Sequence, residues 1–176
     1  MKINLKRLLL CILLPLAVGG LSAFLSRSGM SEFSLLNKPP LTPPAWVFPV
    51  VWSILYVLMG IASYLFLESD VTLCPKKGKG ERPLPSCEAY TKEARSRAFT
   101  TYLIQLIFNF YWSIIFFSMK QYLFAFIWLI LLLVLIALTM RRFFPFSPKA
   151  TYLLIPYIVW VTLAGYLNLG VYLLNK

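Results

Sequence analysis

Five apolar runs, none containing a charged side chain, set the strongest limit on how this chain folds. They cover about Leu8–Leu25, Trp46–Leu67, Ala98–Met119, the stretch just past Lys120 to Met140, and Tyr152–Leu174. A helix needs about 20 mostly apolar residues to cross a bilayer, and in lipid it must satisfy its own backbone polar groups. With flanking turns included, the runs predict helices over 5–27, 46–67, 98–119, 121–142 and 151–174. Residues 68–97, which include the run CPKKGKGERPLPSC, read as an irregular solvated loop because Pro, Gly and charge occur there without periodicity. The expected fold is an all-α integral membrane protein, one domain over 1–176, built as a bundle of five transmembrane helices. Only Lys120 and its neighbours separate the third and fourth runs, so those helices must form a tight antiparallel hairpin.

Composition agrees with membrane burial and removes several chemistries. Hydrophobic residues make up 60% of the chain and charged residues 13%, against about 45–50% and about 25% in soluble domains. With no histidine, a Ser-His-Asp triad, a Cys-His pair, a His zinc site and a His haem ligand are all unavailable. Cys11, Cys74 and Cys87 are too few and too dispersed for a zinc site or a disulfide framework. The net charge of +11 does not indicate nucleic acid, because the basic residues fill short gaps between apolar runs and form no basic stripe.

The first run has a competing reading. Lys2, Lys6 and Arg7 followed by apolar residues and Leu21-Ser22-Ala23 resemble a cleavable signal peptide. The apolar run nevertheless continues through Phe24 and Leu25, and Gly19-x-x-x-Ala23 offers a close-packing face. An uncleaved helix is expected. Five spans then divide the 17 Lys and Arg residues 13 against 4, with the larger group on the amino-terminal side. The positive-inside rule puts that terminus in the cytoplasm of a bacterial cell membrane. Cys74 and Cys87 fall on the same side, so free thiols are expected there.

Polar and aromatic residues inside the spans are the informative ones, since each is costly in lipid. Gln105, Asn109 and Trp112 share one face of the third span through spacings of four and three. They can act as structural glue between helices or line a cavity, and the spacing alone leaves both open. Trp52, Tyr56 and Gly60 recur every four residues in the second span, and Trp160, Ala164 and Asn168 do so in the fifth. Trp52 and Trp160 lie too deep for an interfacial aromatic girdle. The segment 37–49 has five prolines in thirteen residues, which makes it a stiff rim or lid as well as a helix entry.

These pieces, taken in order, resemble the TspO/MBR family of tryptophan-rich sensory and translocator proteins. The match is carried by Lys38-Pro39, Pro43-Pro44-x-Trp46 and Trp52-x-x-Leu55-Tyr56-x-x-Met59-Gly60. It continues through Gln105-x-x-x-Asn109-x-x-Trp112 with Phe116-Phe117, then Pro156-Tyr157-x-x-Trp160 and Leu167-Asn168. The resemblance implies a five-helix bundle, commonly a homodimer, with a pocket under the loop between the first two spans. It implies ligands such as protoporphyrin IX, sterols in some members, isoquinoline carboxamides and benzodiazepines; with no histidine and few cysteines, no metal site and no resident cofactor are expected. Carried over by position, the pocket is Trp52, Asn109, Trp112, Trp160, Ala164 and Leu167, with Phe48, Pro49 and Val51 at its rim; Gln105, on the Asn109 face, joins the expected ligand-binding set as a hydrogen-bonding partner for the ligand's polar edge. Trp52 and Trp160 match tryptophans implicated in light- and oxygen-dependent porphyrin breakdown, so an enzymatic alternative stands beside the binding role. Three departures bear on ligand preference: Glu32-Phe33 where the family often has Trp-Tyr, Pro40-Leu41 where a Trp often follows Lys-Pro, and a longer second loop.

Overall fold

The computed structural model describes residues 3–71, 73 and 85–175. Its long helices are α1 (Leu5–Glu32), α2 (Val47–Leu67), α3 (Pro85–Ser113), α4 (Tyr122–Phe143) and α6 (Ile155–Leu174), with a short α5 (Pro148–Tyr152) before α6. A π-helical segment, Ile114–Ser118, extends α3, and a 3-10 turn, Phe33–Leu35, follows α1. Among the described residues, five helical segments are long and apolar enough to cross a membrane, counting the α3 extension and the α5–α6 pair as one span each. The protein is a multi-pass helical membrane protein.

The helices start and stop where local chemistry directs. Asn4 caps α1 by accepting from the Arg7 N–H at 3.2 Å, and Ser147 caps α5 through the Ala150 N–H at 3.3 Å. The fifth span is broken between Tyr152 and Ile155 because Pro156 has no N–H to continue the ladder. Lys120 takes a left-handed conformation (φ 55°), which turns α3 sharply into α4. The hairpin is fastened by Trp128, whose ring stacks on Phe108 at 4.3 Å while its Nε1 donates to the Phe108 carbonyl at 2.8 Å.

Packing follows the residues that allow close approach. α1 lies against α2, and also against α3 and its π-helical extension; α3 lies on α4, and α4 on α6. A Cβ at Gly60 would come within 2.5 Å of the Ile12 Cα, so glycine sets the α1–α2 crossing distance. Ser22 donates to the Phe110 carbonyl at 2.9 Å and pairs with the Ser113 hydroxyl, joining α1 to α3 without leaving a hydroxyl bare in lipid. α2 and α6 instead meet through large rings: Phe48 stands edge-on to Trp160 at 5.9 Å, and Trp52 edge-on to Tyr157 at 6.3 Å.

Two expectations are corrected. The irregular loop placed over 68–97 is helical from Pro85, so α3 begins about three turns before its apolar run. Pro at the first helical position and the helix-forming Glu, Ala, Lys and Arg residues of 88–97 explain this, since hydropathy detects membrane depth and not helicity. Arg95 anchors the extension by donating to the Ser69 carbonyl at 2.6 Å, with its guanidinium 5.0 Å from the Phe146 ring. The second correction is Cys87, which is disulfide-bonded where a free thiol was expected; Cys74 lies outside the described residues. A lasting disulfide belongs to an oxidising compartment, so it opposes the side that the charge count assigns to the α2–α3 connection.

Candidate functional site

The interior of the bundle is organised around Asn109. Tyr56 of α2 donates its hydroxyl to Asn109 Oδ1 at 2.7 Å, Asn109 Nδ2 donates to Tyr157 Oη at 3.0 Å, and Tyr157 donates to Gln105 Oε1 at 2.9 Å. This relay ties α2, α3 and α6 at one depth. Gln105 and Asn109 are only 1% and 2% exposed, so the bonds are made where water cannot substitute. Asn168, with its amide oriented to satisfy both atoms, donates to the Tyr122 carbonyl at 2.8 Å and accepts from the Phe126 N–H at 3.2 Å. It fixes α6 on the start of α4. The structural-glue reading accounts for Gln105 Oε1 and for both amide atoms of Asn109 and of Asn168.

Above this relay lies a cavity of about 320 Å3 between α1, α2 and α3. Six of its fourteen lining residues are aromatic. Trp52 stacks on Tyr56 at 5.6 Å and leans on Trp112 at 6.0 Å, while Trp112 stacks on Phe116 at 5.7 Å. Phe33 and Phe48, in edge contact at 6.3 Å, close the rim under the proline-rich segment. That segment is held to α6, since Tyr166 donates to the Pro40 carbonyl at 3.1 Å and Asn175 bonds both backbone groups of Asn37.

Of the residues singled out from the sequence, Phe48, Pro49, Trp52, Asn109 and Trp112 line this cavity together. Ala164 and Leu167 line a second, much smaller void of about 30 Å3 between the rim, α3 and α6. Phe33, Phe48, Trp112 and Phe117 border both spaces and form the partition between them. Gln105, Val51 and Trp160 line neither. Trp160 backs onto Phe48, and its buried Nε1–H has no hydrogen-bond partner among the described residues. A buried donor left unpaired costs about 1–3 kcal/mol. A ligand acceptor reaching that N–H would recover this energy.

Sequence reasoning missed the contribution of α1. Gly19, Ser22 and Ala23 line the cavity, and a Cβ at Gly19 would sit 2.0 Å from the Tyr56 ring. The signal was present in the spacing of Gly19, Ser22, Ala23 and Ser26, a run of small residues on one helix face. Small residues hold a neighbouring helix close where it touches and leave a hollow where it does not.

Comparison with known proteins bears on this arrangement. Residues 11–173 match the TspO/MBR family. The chain is 36% identical over 169 residues to the tryptophan-rich protein TspO of Chlorobaculum tepidum, covering 96% of this chain and 95% of that protein. It is 32% identical over 173 residues to the tryptophan-rich protein TspO of Archaeoglobus fulgidus, covering 98% and 99%. It is also 32% identical over 157 residues to the translocator protein of Bos taurus, covering 89% and 82%.

Proposed function

The chain belongs to the TspO/MBR family, and from that premise we propose that it binds tetrapyrroles of the protoporphyrin IX type, and other flat apolar molecules, inside the bundle. The role we assign is sensory, regulatory or transport. The observation that carries this reading is the aromatic cavity walled by Trp52, Trp112, Phe48 and Tyr56, with Asn109 at its floor. Its volume of about 320 Å3 is at the lower end of the usual range for small-molecule sites, about 300–1,000 Å3. A tetrapyrrole needs more room than this. Rotation of Phe48 and Phe33 would merge the cavity with the void beside Ala164 and Leu167, and would bring the orphan Trp160 N–H within reach of a ligand acceptor. Flat macrocycles suit such walls because indole and phenyl rings bind them by offset stacking or edge-on contact. With no histidine in the chain to ligate iron, metal-free porphyrin is expected to bind at least as well as haem.

The test is a titration of purified protein with protoporphyrin IX, haem and a sterol, each followed by quenching of tryptophan fluorescence. Saturable quenching by the porphyrin that weakens in Trp160→Ala and Asn109→Ala is the expected result. Affinity unchanged in both variants would overturn the pocket assignment. The reading includes a homodimer and a cytoplasmic amino terminus, tested by crosslinking in membranes and by sided labelling.

A second reading is light- and oxygen-dependent porphyrin degradation. It is favoured by the stacking of Trp52 on Tyr56 at 5.6 Å, which gives an oxidised indole a neighbouring phenol. Loss of the Soret band under illumination that requires Trp52, and fails in Trp52→Phe, is its signature. Equal bleaching in both proteins would rule it out.

A further inference from the structure

A second cleft, of about 390 Å3, lies at the opposite end of the bundle from the proline-rich rim, between the amino-terminal part of α3 and the carboxyl end of α4. Its polar lining is Arg97, Arg141 and Arg142, with Glu93 and Tyr90, and Leu138 and Phe146 contribute apolar surface. We propose that this cleft binds the phosphate headgroup of an anionic phospholipid.

Charge is the first argument. Three guanidinium groups face one carboxylate, and that carboxylate is already engaged: Arg97 donates to Glu93 at 2.5 Å, one helical turn away. Arg142 is held in place through the Thr101 hydroxyl and the Arg97 carbonyl (3.3 Å), so its position is fixed while donors remain. Among the described residues, Arg141 makes no hydrogen bond or ion pair. A pre-positioned guanidinium beside an unpaired one suits the two-pronged recognition of phosphate oxygens.

Depth is the second argument. Arg141 and Arg142 end the fourth apolar run, and Arg97 immediately precedes the third. The cleft therefore sits where hydrocarbon gives way to headgroups, the level at which basic pockets between helices take acidic lipids. Its apolar side continues into the membrane. Leu138, Val134 and Leu131 form one stripe down α4, with Val134 and Leu131 exposed, and Ile104 and Ile107 are exposed on the adjacent α3. A free phosphate would use the arginines and leave this apolar track empty, whereas a phospholipid uses both.

The test reconstitutes the full chain with equimolar phosphatidylglycerol and phosphatidylcholine, then measures retained lipid by native mass spectrometry. Wild type is expected to retain phosphatidylglycerol preferentially. Arg97→Gln with Arg141→Gln should reduce that preference about tenfold. Lys6→Gln with Lys92→Gln removes the same charge from the same membrane side and should leave it intact. Glu93→Gln should strengthen it. Should the double arginine variant misfold, Arg141→Gln alone, which breaks no hydrogen bond or ion pair among the described residues, carries the test with a loss of about threefold. Equal retention of the two lipids, or equal loss in the arginine and lysine pairs, overturns the proposal. Displacement of bound lipid by millimolar inorganic phosphate overturns the lipid assignment in favour of a simple anion site.

Discussion

The Tyr56 hydroxyl donates to Asn109 Oδ1 across 2.7 Å, and both residues line the aromatic cavity, so one hydrogen bond helps to hold α2 on α3 and to build the candidate site. Tyr56→Phe keeps the ring and leaves the Asn109 oxygen unpaired, which should destabilise the protein by about 1–3 kcal/mol. Asn109→Leu should cost a similar amount, and the double variant less than their sum by about 0.5–3 kcal/mol. Thermal unfolding in detergent measures all three. Strict additivity would mean that the bond does not hold the helices.

The α1–α2 crossing supplies a paired prediction. A Cβ at Gly60 meets the Ile12 backbone at 2.5 Å, while one at Gly20 meets nothing within 4 Å. Gly60→Ala must push two backbones apart and should destabilise by about 1–3 kcal/mol. Gly20→Ala removes only backbone freedom and should stabilise by about 0.8–1 kcal/mol. Opposite shifts in melting temperature are the expected readout, and shifts of the same sign would place the crossing elsewhere.

Trp160 separates stability from binding. Replacing its indole by Phe removes the buried N–H that has no partner among the described residues. Trp160→Phe should leave the ligand-free protein as stable as wild type, or up to about 1–3 kcal/mol more stable once the smaller ring is accommodated. Porphyrin affinity should fall in the same variant. A variant that binds porphyrin with undiminished affinity would show that the N–H serves no ligand.

Filling the cavity from α1 tests where the ligand sits. Ala23 lines the cavity yet is exposed on the helix, so a larger side chain there has room to enter. Ala23→Phe should weaken porphyrin binding by about tenfold or more, equivalent to about 1.4 kcal/mol, with little change in melting temperature. Unchanged fluorescence quenching would remove α1 from the site.

The disulfide at Cys87 and the 13-to-4 charge split disagree about sidedness. Charge acts at insertion and sets the topology, whereas a disulfide forms only where an oxidant is present. Acid-quenched alkylation of intact cells should therefore find Cys87 blocked until a reductant is added, as the disulfide requires. Cys87 alkylated without reductant would overturn the disulfide and agree with the charge count.

Hydropathy and spacing were sufficient for five spans, for the α3–α4 hairpin at Lys120, and for the inward placement of Gln105, Asn109 and Trp112. Each of these is a property of one segment: a run without charge, a short connection, a spacing of three and four. The polar start of α3 escaped because its residues carry no membrane signal, although Pro85 suits a first helical position and the Glu, Ala and Arg residues that follow are ordinary helix formers.

Only tertiary structure decided which buried polar groups satisfy each other. Gln105 and Asn109 are linked through Tyr157, a residue of another helix about 50 positions away, and nothing local to either amide specifies that partner. It also decided that Gly19, Ser22 and Ala23 wall the cavity, that Phe33 and Phe48 divide it, and that Trp160 stands behind the partition. A cavity is what remains between facing surfaces supplied by distant segments. Its volume and walls are set by how helices cross, while the tendency of each helix to enter lipid is set residue by residue along the chain.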